Sequence, residues 1–235
     1  MSRLPLASLL FDLDGTLVDT VPDLADAANH MLAALGRPVQ DEATVAGWIG
    51  DGVPRLIKRA LTGQPFGEPD AALFAEAQAL YNAHYEAHVA CRSRLFPGVL
   101  PTLETLRATG FRLACVTNKA RRFTGPLLEA LGIAPYFGAV VSGDEVARAK
   151  PDPLPLFVAC ERLGVSPRSA ALVGDSGNDM RAARAAAMPA LAVSYGYHHG
   201  ADLKGLGATV IVEAFSDIPS CIRFTGDFVR AEAAS

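Results

Sequence analysis

Two hydrophobic rhythms divide the chain. From Leu95 onward, segments whose apolar residues recur every three or four positions alternate with short continuous apolar runs, and a glycine closes most of the periodic segments. Leu100, Leu103 and Leu106 form one such stripe, stopped near Gly110, and FRLACVT follows as a predicted strand. The same alternation predicts a helix over 125–131 stopped by Gly132, the strand AVVSG, a helix over 154–163 stopped by Gly164, and the strand AALVGD. A helix from about Asn178, the strand ALAVS and a last strand in ATVIVEA complete the series. Strands and helices in this order build a parallel sheet with helices on its faces, so the predicted fold class is α/β, doubly wound.

The stretch 18–92 follows the helical rhythm only. Leu24, Ala28, Met31, Leu32 and Leu35 share one stripe closed by Gly36 and Pro38, a long Ala-rich helix is predicted over 70–89, and no run there reads as a strand. A first strand, ending in Leu9, Leu10 and Phe11, precedes it. The chain is therefore expected to form a core domain of residues 1–17 and 93–235, with a small α-helical domain of residues 18–92 inserted after the first strand. There is no repeat of fixed period and no low-complexity tract, and the closing AEAAS reads as a frayed tail.

Half of the 235 residues are hydrophobic, enough for one sizeable core with a smaller satellite and too many for a disordered chain. A formal net charge of -4, with no run of Lys and Arg, argues against nucleic acid or an anionic membrane as partner. Any anionic ligand has to be held locally. Cys91, Cys115, Cys160 and Cys221 have neither paired nor zinc-like spacing and read as reduced thiols of a cytoplasmic protein, with Cys115 and Cys160 in core stretches. Asp12 and Asp14 cut the apolar start short of a signal core or membrane span, so a soluble chain is expected.

Against this background LLFDLDGTLVDT stands out, because an apolar strand runs into Asp12, Asp14 and Asp19 with no basic residue among them. Ligands of open α/β sheets bind at the carboxyl ends of the strands. The residues that follow the other strands extend the set: Thr117, Asn118 and Lys119 after FRLACV, Lys150 near the end of the next unit, and Asp175 and Asp179 after AALVG. Each alone has a plain reading as a turn or cap aspartate, a loop residue or a solvated lysine. Together, carboxylates gathered at one sheet edge repel unless a cation neutralises them, and oxygen-only ligation suits Mg²⁺ rather than zinc. Thr117, Asn118 and the lysines supply the donors and positive charge that a phosphate dianion needs. Acids for a nucleophile and a metal, beside donors for phosphoryl oxygens, make a phosphoryl-transfer site.

The four blocks DLDGT, VTNK, RAKPDP and GDSGND, in this order and on these elements, resemble the four motifs of the haloacid dehalogenase superfamily of phosphohydrolases. The resemblance spans nearly the whole chain, and the helical insertion resembles that superfamily's small α-helical cap. Within it, LVDTVPDLADAANHMLAALGRP, GWIGDGVPRLIKRAL and LFPGV look like the phosphoglycolate phosphatases. The resemblance implies Mg²⁺-dependent hydrolysis of 2-phosphoglycolate to glycolate and phosphate through an aspartyl-phosphate. It implies Asp12 as nucleophile and Asp14 as general acid and then base, a role that asks for a raised pKa, with the Asp14 backbone carbonyl on the metal. Asp175 completes the Mg²⁺ site with Asp12 and Asp14, and Asp179 either holds a metal water or orients Lys150. Thr117 and Asn118 bind the phosphoryl group, Lys150 neutralises it, and Lys119 either joins them or stays solvated. Gly15 and Thr16 turn the chain over the phosphate with backbone N–H groups exposed, while Asp19 reads as a cap or hinge contact.

The helical insertion is expected to choose the ester. In the loop GWIGDG, residues 47–52, Trp48 either folds over the leaving group or is buried in the insertion's own core. Arg55 either meets a substrate carboxylate or is a solvated helix arginine. Ala187 and Met188 precede Pro189 where relatives often carry a glycine helix stop, and GYHHG, residues 196–200, departs from the GYN type. His198 and His199 read as loop residues, Arg181 and Arg184 as a solvated face. Two other readings stay open: a sugar-phosphate mutase of the same fold, and a receiver-type phospho-acceptor without turnover, although receivers carry their acid after a middle strand and no helical insertion. The expected partner is a small phosphorylated metabolite; the oligomeric state is not encoded in any of these features.

Overall fold

The computed structural model describes residues 3–226, and the AEAAS tail lies outside them. In chain order come β1 (Leu4–Leu6), β2 (Ser8–Phe11), β3 (Val18–Asp19), α1 (Val21–Ala34), α2 (Glu42–Ala46), α3 (Val53–Thr62) and α4 (Ala71–Ala87). They are followed by β4 (Arg94–Leu95), α5 (Val99–Ala108), β5 (Arg112–Val116), α6 (Arg121–Ala130), β6 (Ala139–Val141), α7 (Leu154–Leu163) and β7 (Ala170–Gly174). The described residues end with α8 (Gly177–Ala185), β8 (Ala190–Val193), β9 (Val210–Val212), α9 (Ile218–Cys221) and β10 (Ile222–Phe224).

Six of the strands form one parallel sheet in the order β6-β5-β2-β7-β8-β9, so the chain winds outward from β2 in one direction and then in the other. All residues of β2 and β7 are buried, as a parallel sheet covered on both faces requires. Pleating sends Leu9 and Phe11 into one apolar cluster, with residues of α5 and α6, and Leu10 into another, with residues of α7 and α8. Cys115 belongs to the first and Cys160 to the second, in line with their reading as core thiols. The predicted α/β architecture is observed, and the six strands of this sheet fall within the predicted stretches; the parallel pair of β1 with β10, beyond the strand expected to be last, is not among them.

Residues of α1, α2, α3 and α4 build a third cluster of their own, around Met31, Tyr81 and Tyr85, which the α6 residue Phe123 joins. Asp70 starts α4 by accepting the N–H groups of Ala72 and Leu73. The expectation of no strand in 18–92 needs one correction: β3 pairs antiparallel with β4, Val18 opposite Leu95 and Asp19 opposite Arg94. A ladder of two residues is too short to leave a period in the sequence, yet it ties together the two crossings between the sheet and the helices. The helix expected over 125–131 begins earlier, at Arg121, because burial of Phe123 outweighs the breaking tendency of Gly125 and Pro126.

After α8 the chain turns through Ala187 with φ 52, a left-handed conformation that costs an L residue with a Cβ about 1 kcal/mol. This is the position where a glycine stop was missed in the sequence. Ala187→Gly is expected to stabilise the protein by about 0.5–1 kcal/mol, read as a rise in the midpoint of urea unfolding, since the native strain it removes exceeds the chain entropy it adds.

Candidate active site

The carboxyl ends of β2, β5 and β7 lie side by side where the winding changes direction, which opens a crevice between the loops that follow them. Asp12 leaves β2 with its N–H on the Val173 carbonyl at 2.9 Å; Thr117 follows β5, Asp175 follows β7, and Lys150 stands ahead of α7. The tertiary fold thus gathers residues more than 160 positions apart.

Lys150 is the hub. Its Nζ lies 2.8 Å from Asp12 Oδ1 and 2.7 Å from Asp179 Oδ1, and it donates to the Val116 carbonyl at 2.7 Å. Although burial works against the ammonium, these two carboxylates hold Lys150 above its ordinary pKa. Asp179 also accepts from Ser176 Oγ at 2.6 Å in a capping box that starts α8, so its orientation is set by the helix it opens. Asp179 is expected either to hold a metal water or to orient Lys150, and its Oδ1 lies against the Lys150 ammonium.

Asp12, Asp175 and Asp179 bring carboxylate oxygens within 4.8 Å of one another. Burial pushes Asp12 up to about 7, against the pull of Lys150 and with a further push from Asp179. Asp175 is raised well above the usual carboxylate range by burial and then by Asp12 and Asp179. Three buried acids gathered here, with one ammonium on two of them, are the oxygen donor set and charge deficit that a hard divalent cation fits.

Asp14 is expected on the metal through its backbone carbonyl, and its carboxylate is not part of this group. Both of its oxygens receive Lys119 Nζ, at 2.9 and 3.2 Å. Lys119 is not solvated: it is buried, its ammonium lies 4.9 Å from the Tyr85 ring centre, and its backbone N–H donates to Thr117 Oγ1 at 3.1 Å. It holds the Asp14 carboxylate and the loop after β5 in one arrangement.

Gly15 and Thr16 need a correction. Their backbone N–H groups are consumed inside the turn, by the Val18 carbonyl at 2.9 Å and the Leu13 carbonyl at 3.3 Å, and so do not face the cavity as free donors. Gly15 is required for space: it has φ 89, and a Cβ there would collide with Asp175 Oδ2 and lie 2.8 Å from Tyr197 Cδ2. Thr16 acts through its side chain, donating to Asp175 Oδ1 at 2.7 Å.

Asn118 donates to the Lys150 carbonyl at 2.9 Å and to the Gly50 carbonyl at 3.2 Å. Asn178 donates to the same Gly50 carbonyl at 3.2 Å and to Asp51 Oδ1 at 2.8 Å. Loop 47–52 is therefore drawn over the crevice, enclosing a cavity of about 40 Å³. Asp12, Asp14, Thr117, Lys119, Lys150 and Asp175 face it from the sheet, and Leu24, Ile49, Val53 and Leu56 from the helices. Trp48, half-buried, packs on the helical cluster, and Ile49 takes the cavity position instead. Arg55 pairs with Glu68 at 3.2 Å outside the cavity. Arg181, exposed as expected, also steadies Asn178 Oδ1 at 2.7 Å.

Sequence reasoning missed Ser176, Asn178, Tyr195 and Tyr197. Tyr195 donates to the Thr16 carbonyl at 2.7 Å, and Tyr197 N–H donates to Asp175 Oδ2 at 2.6 Å. Their signal was position: the segment after β8 also lies at the carboxyl edge of the sheet. Among the described residues His199 meets the Ile49 carbonyl, at 3.3 Å.

Residues 7–187 match the haloacid dehalogenase-like hydrolase family. The chain belongs to that family. It is 49% identical over 214 residues to a phosphoglycolate phosphatase of Thiobacillus denitrificans, covering 91% of this chain and 94% of that protein. Over 220 residues it is 48% identical to one of Nitrosospira multiformis, covering 94% and 97%. A crystal structure of a predicted phosphoglycolate phosphatase from Haemophilus somnus superposes with a TM-score of 0.85 at 34% identity, covering 92% of this chain and 97% of that one. The buried acids and lysines described above lie in the blocks that carried the resemblance in the sequence.

Proposed function

We propose that this chain hydrolyses 2-phosphoglycolate to glycolate and phosphate with Mg²⁺, through an aspartyl-phosphate on Asp12. That it is a phosphoric monoester hydrolase follows from its family and its relatives; the ester, the metal and the intermediate are the finer reading. The observation that carries it is the convergence of Asp12, Asp175 and Asp179, two of them on Lys150, beside Asp14 held by Lys119.

Asp12, Asp175 and Asp179, with the Asp14 backbone carbonyl, would hold Mg²⁺, which when bound supplies positive charge to the phosphoryl oxygens. An Asp12 oxygen forms the new bond to phosphorus as the ester P–O bond breaks, and Asp14 gives its proton to the departing alkoxide. Lys150 offsets charge on the phosphoryl oxygens, and the Thr117 hydroxyl and the Asn118 backbone N–H supply donors beside it. Asp14 then takes a proton from water as that water attacks phosphorus, which frees Asp12 and releases phosphate. Loop 47–52 and the apolar wall of Ile49, Val53 and Leu56 keep bulk water out and leave room for a compact leaving group.

On this reading residues 18–92 form a cap domain over a core of 1–17 and 93–235, hinged where β3 and β4 pair. The support is that the helices have their own apolar cluster and meet the sheet's cavity through few side chains. A cytoplasmic setting with a small phosphorylated metabolite as partner fits the chemistry, and no helix among the described residues is long and apolar enough to cross a membrane.

Phosphate release from a panel of small phosphate esters, with Mg²⁺ and with a chelator, tests this. The expected outcome is the highest kcat/KM for 2-phosphoglycolate and none in chelator. Release from no ester would sink the hydrolase reading, and conversion of a hexose 1-phosphate to its 6-phosphate without release would make the chain a mutase.

A further inference from the structure

Tyr197 joins two parts of the molecule that the reaction steps treat separately. It stands in the turn after β8, outside the four motif blocks. Its backbone N–H donates to Asp175 Oδ2 at 2.6 Å, while Thr16 Oγ1 donates to Asp175 Oδ1 at 2.7 Å, so both oxygens of that buried carboxylate are held. At its other end the phenol donates to Asp19 Oδ1 at 2.6 Å and accepts the Thr20 N–H at 2.9 Å. Asp19 lies opposite Arg94 in the β3–β4 pair, so the phenol grips the place where both crossings into 18–92 run side by side.

The grip also completes α1. Thr20 is its N-cap and offers no side-chain cap of its own; the phenol oxygen takes the Thr20 N–H and, at 3.4 Å, the Val21 N–H. Little slack separates the two ends. A Cβ on Gly15 would come within 2.8 Å of the Tyr197 ring, and one on Gly196 within 2.6 Å of Asp175 Cγ, so the turn is in close contact with the acid along its length. Burial and the Asp19 carboxylate push the phenol far above its ordinary pKa, which keeps it a neutral donor.

We propose that Tyr197 is a positioning residue that couples the placement of helices 18–92 to the orientation of the Asp175 carboxylate. The proposal rests on the assignment of Asp175 to the Mg²⁺ site. A rotation of the helices about β3–β4 carries Asp19 and Thr20 with it, the phenol follows, and the displacement reaches the N–H that sets Asp175 Oδ2. Closure over the cavity and metal binding then favour each other, as linked equilibria must.

Tyr197→Phe deletes the phenol oxygen and leaves the backbone N–H in place; Asp19→Ala deletes the other partner. Calorimetric Mg²⁺ binding to wild type, both variants and the double variant is the test, with kcat for 2-phosphoglycolate followed across Mg²⁺ concentration. Each single substitution is expected to weaken Mg²⁺ binding about 10-fold, the range for groups that orient metal ligands. The double variant should be no weaker than either, and high Mg²⁺ should restore most of the lost kcat. Unchanged Mg²⁺ affinity in Tyr197→Phe, losses that add in the double variant, or a loss of kcat that Mg²⁺ does not restore would each overturn the coupling. Should one variant fail to fold, the affinity of the other decides alone. Wild type that binds Mg²⁺ yet releases no phosphate overturns the proposed hydrolysis and leaves the coupling to stand or fall on affinity; wild type that binds no Mg²⁺ overturns both.

Discussion

Asp12→Asn is expected to lower kcat for phosphate-ester hydrolysis by at least about 10⁴-fold, the scale of losing a covalent nucleophile, while the fold persists. An amide of the same shape keeps the Asp12 N–H on the Val173 carbonyl and removes one of three crowded acids, so the sheet edge should lose no stability. Stopped-flow and steady-state phosphate release measure the first claim and urea unfolding the second. Turnover near wild type would move the nucleophile elsewhere.

The same variant carries a pH signature in the metal-free protein. Burial raises the Asp12 carboxyl to about 7 in the folded state, whereas an unfolded aspartate titrates near about 3.9. Between those values the folded chain keeps a proton that the unfolded chain has lost, so stability falls as pH rises through the window. The slope approaches about 1.4 kcal/mol per pH unit and contributes nothing below about 4 or above about 7. Asp12→Asn should flatten that slope in unfolding curves taken with a chelator at several pH values. An identical slope in the variant would remove Asp12 as its source.

Lys150→Met should be the most damaging of the conservative-volume changes. It strips the ammonium from two carboxylates that it touches at 2.8 and 2.7 Å, in surroundings where all three groups are buried. Removing one partner of a buried charge cluster leaves the others uncompensated and costs about 3–5 kcal/mol. The loss in unfolding free energy should be larger at pH 8 than at pH 5, because at the lower pH the stranded carboxyls can take up protons instead. Hydrolysis should fall at least about 10³-fold, since the charge that meets the phosphoryl oxygens is gone. A stability loss independent of pH would mean that packing of the Lys150 stem, rather than its charge, is what matters.

The difference between what was legible and what was not follows element by element. The periodic stripe of Leu103 and Leu106 and the apolar runs of β2, β5 and β7 exposed the α/β order, because burial on two faces leaves a continuous pattern. Asp12, Thr117, Lys150, Asp175 and Asp179 were legible because each follows a recognisable strand or opens the next helix. The β3–β4 pair was not, since two residues carry no period, and the roles of Gly15 and Thr16 were misread because the turn's own carbonyls claim their N–H groups. Lys119 was equally ambiguous in sequence: only the packing of Tyr85 and the approach of Asp14 decide whether a lysine after a strand is solvated or buried.

The sequence alone therefore determined the class of the fold, the strand ends that carry acids and lysines, and the helical nature of residues 18–92, because these depend on local period and on neighbours along the chain. Only the tertiary structure decided which acid meets which cation, that Asp14 stands with Lys119 while Asp12 and Asp179 meet Lys150, that Ile49 rather than Trp48 faces the cavity, and that Tyr197 spans from Asp175 to Asp19. These pairings join residues far apart in the chain across distances of a few ångströms. Such contacts are set by the register of a parallel sheet and the volume of the side chains around it, and neither leaves a mark on the spacing of residues in one dimension.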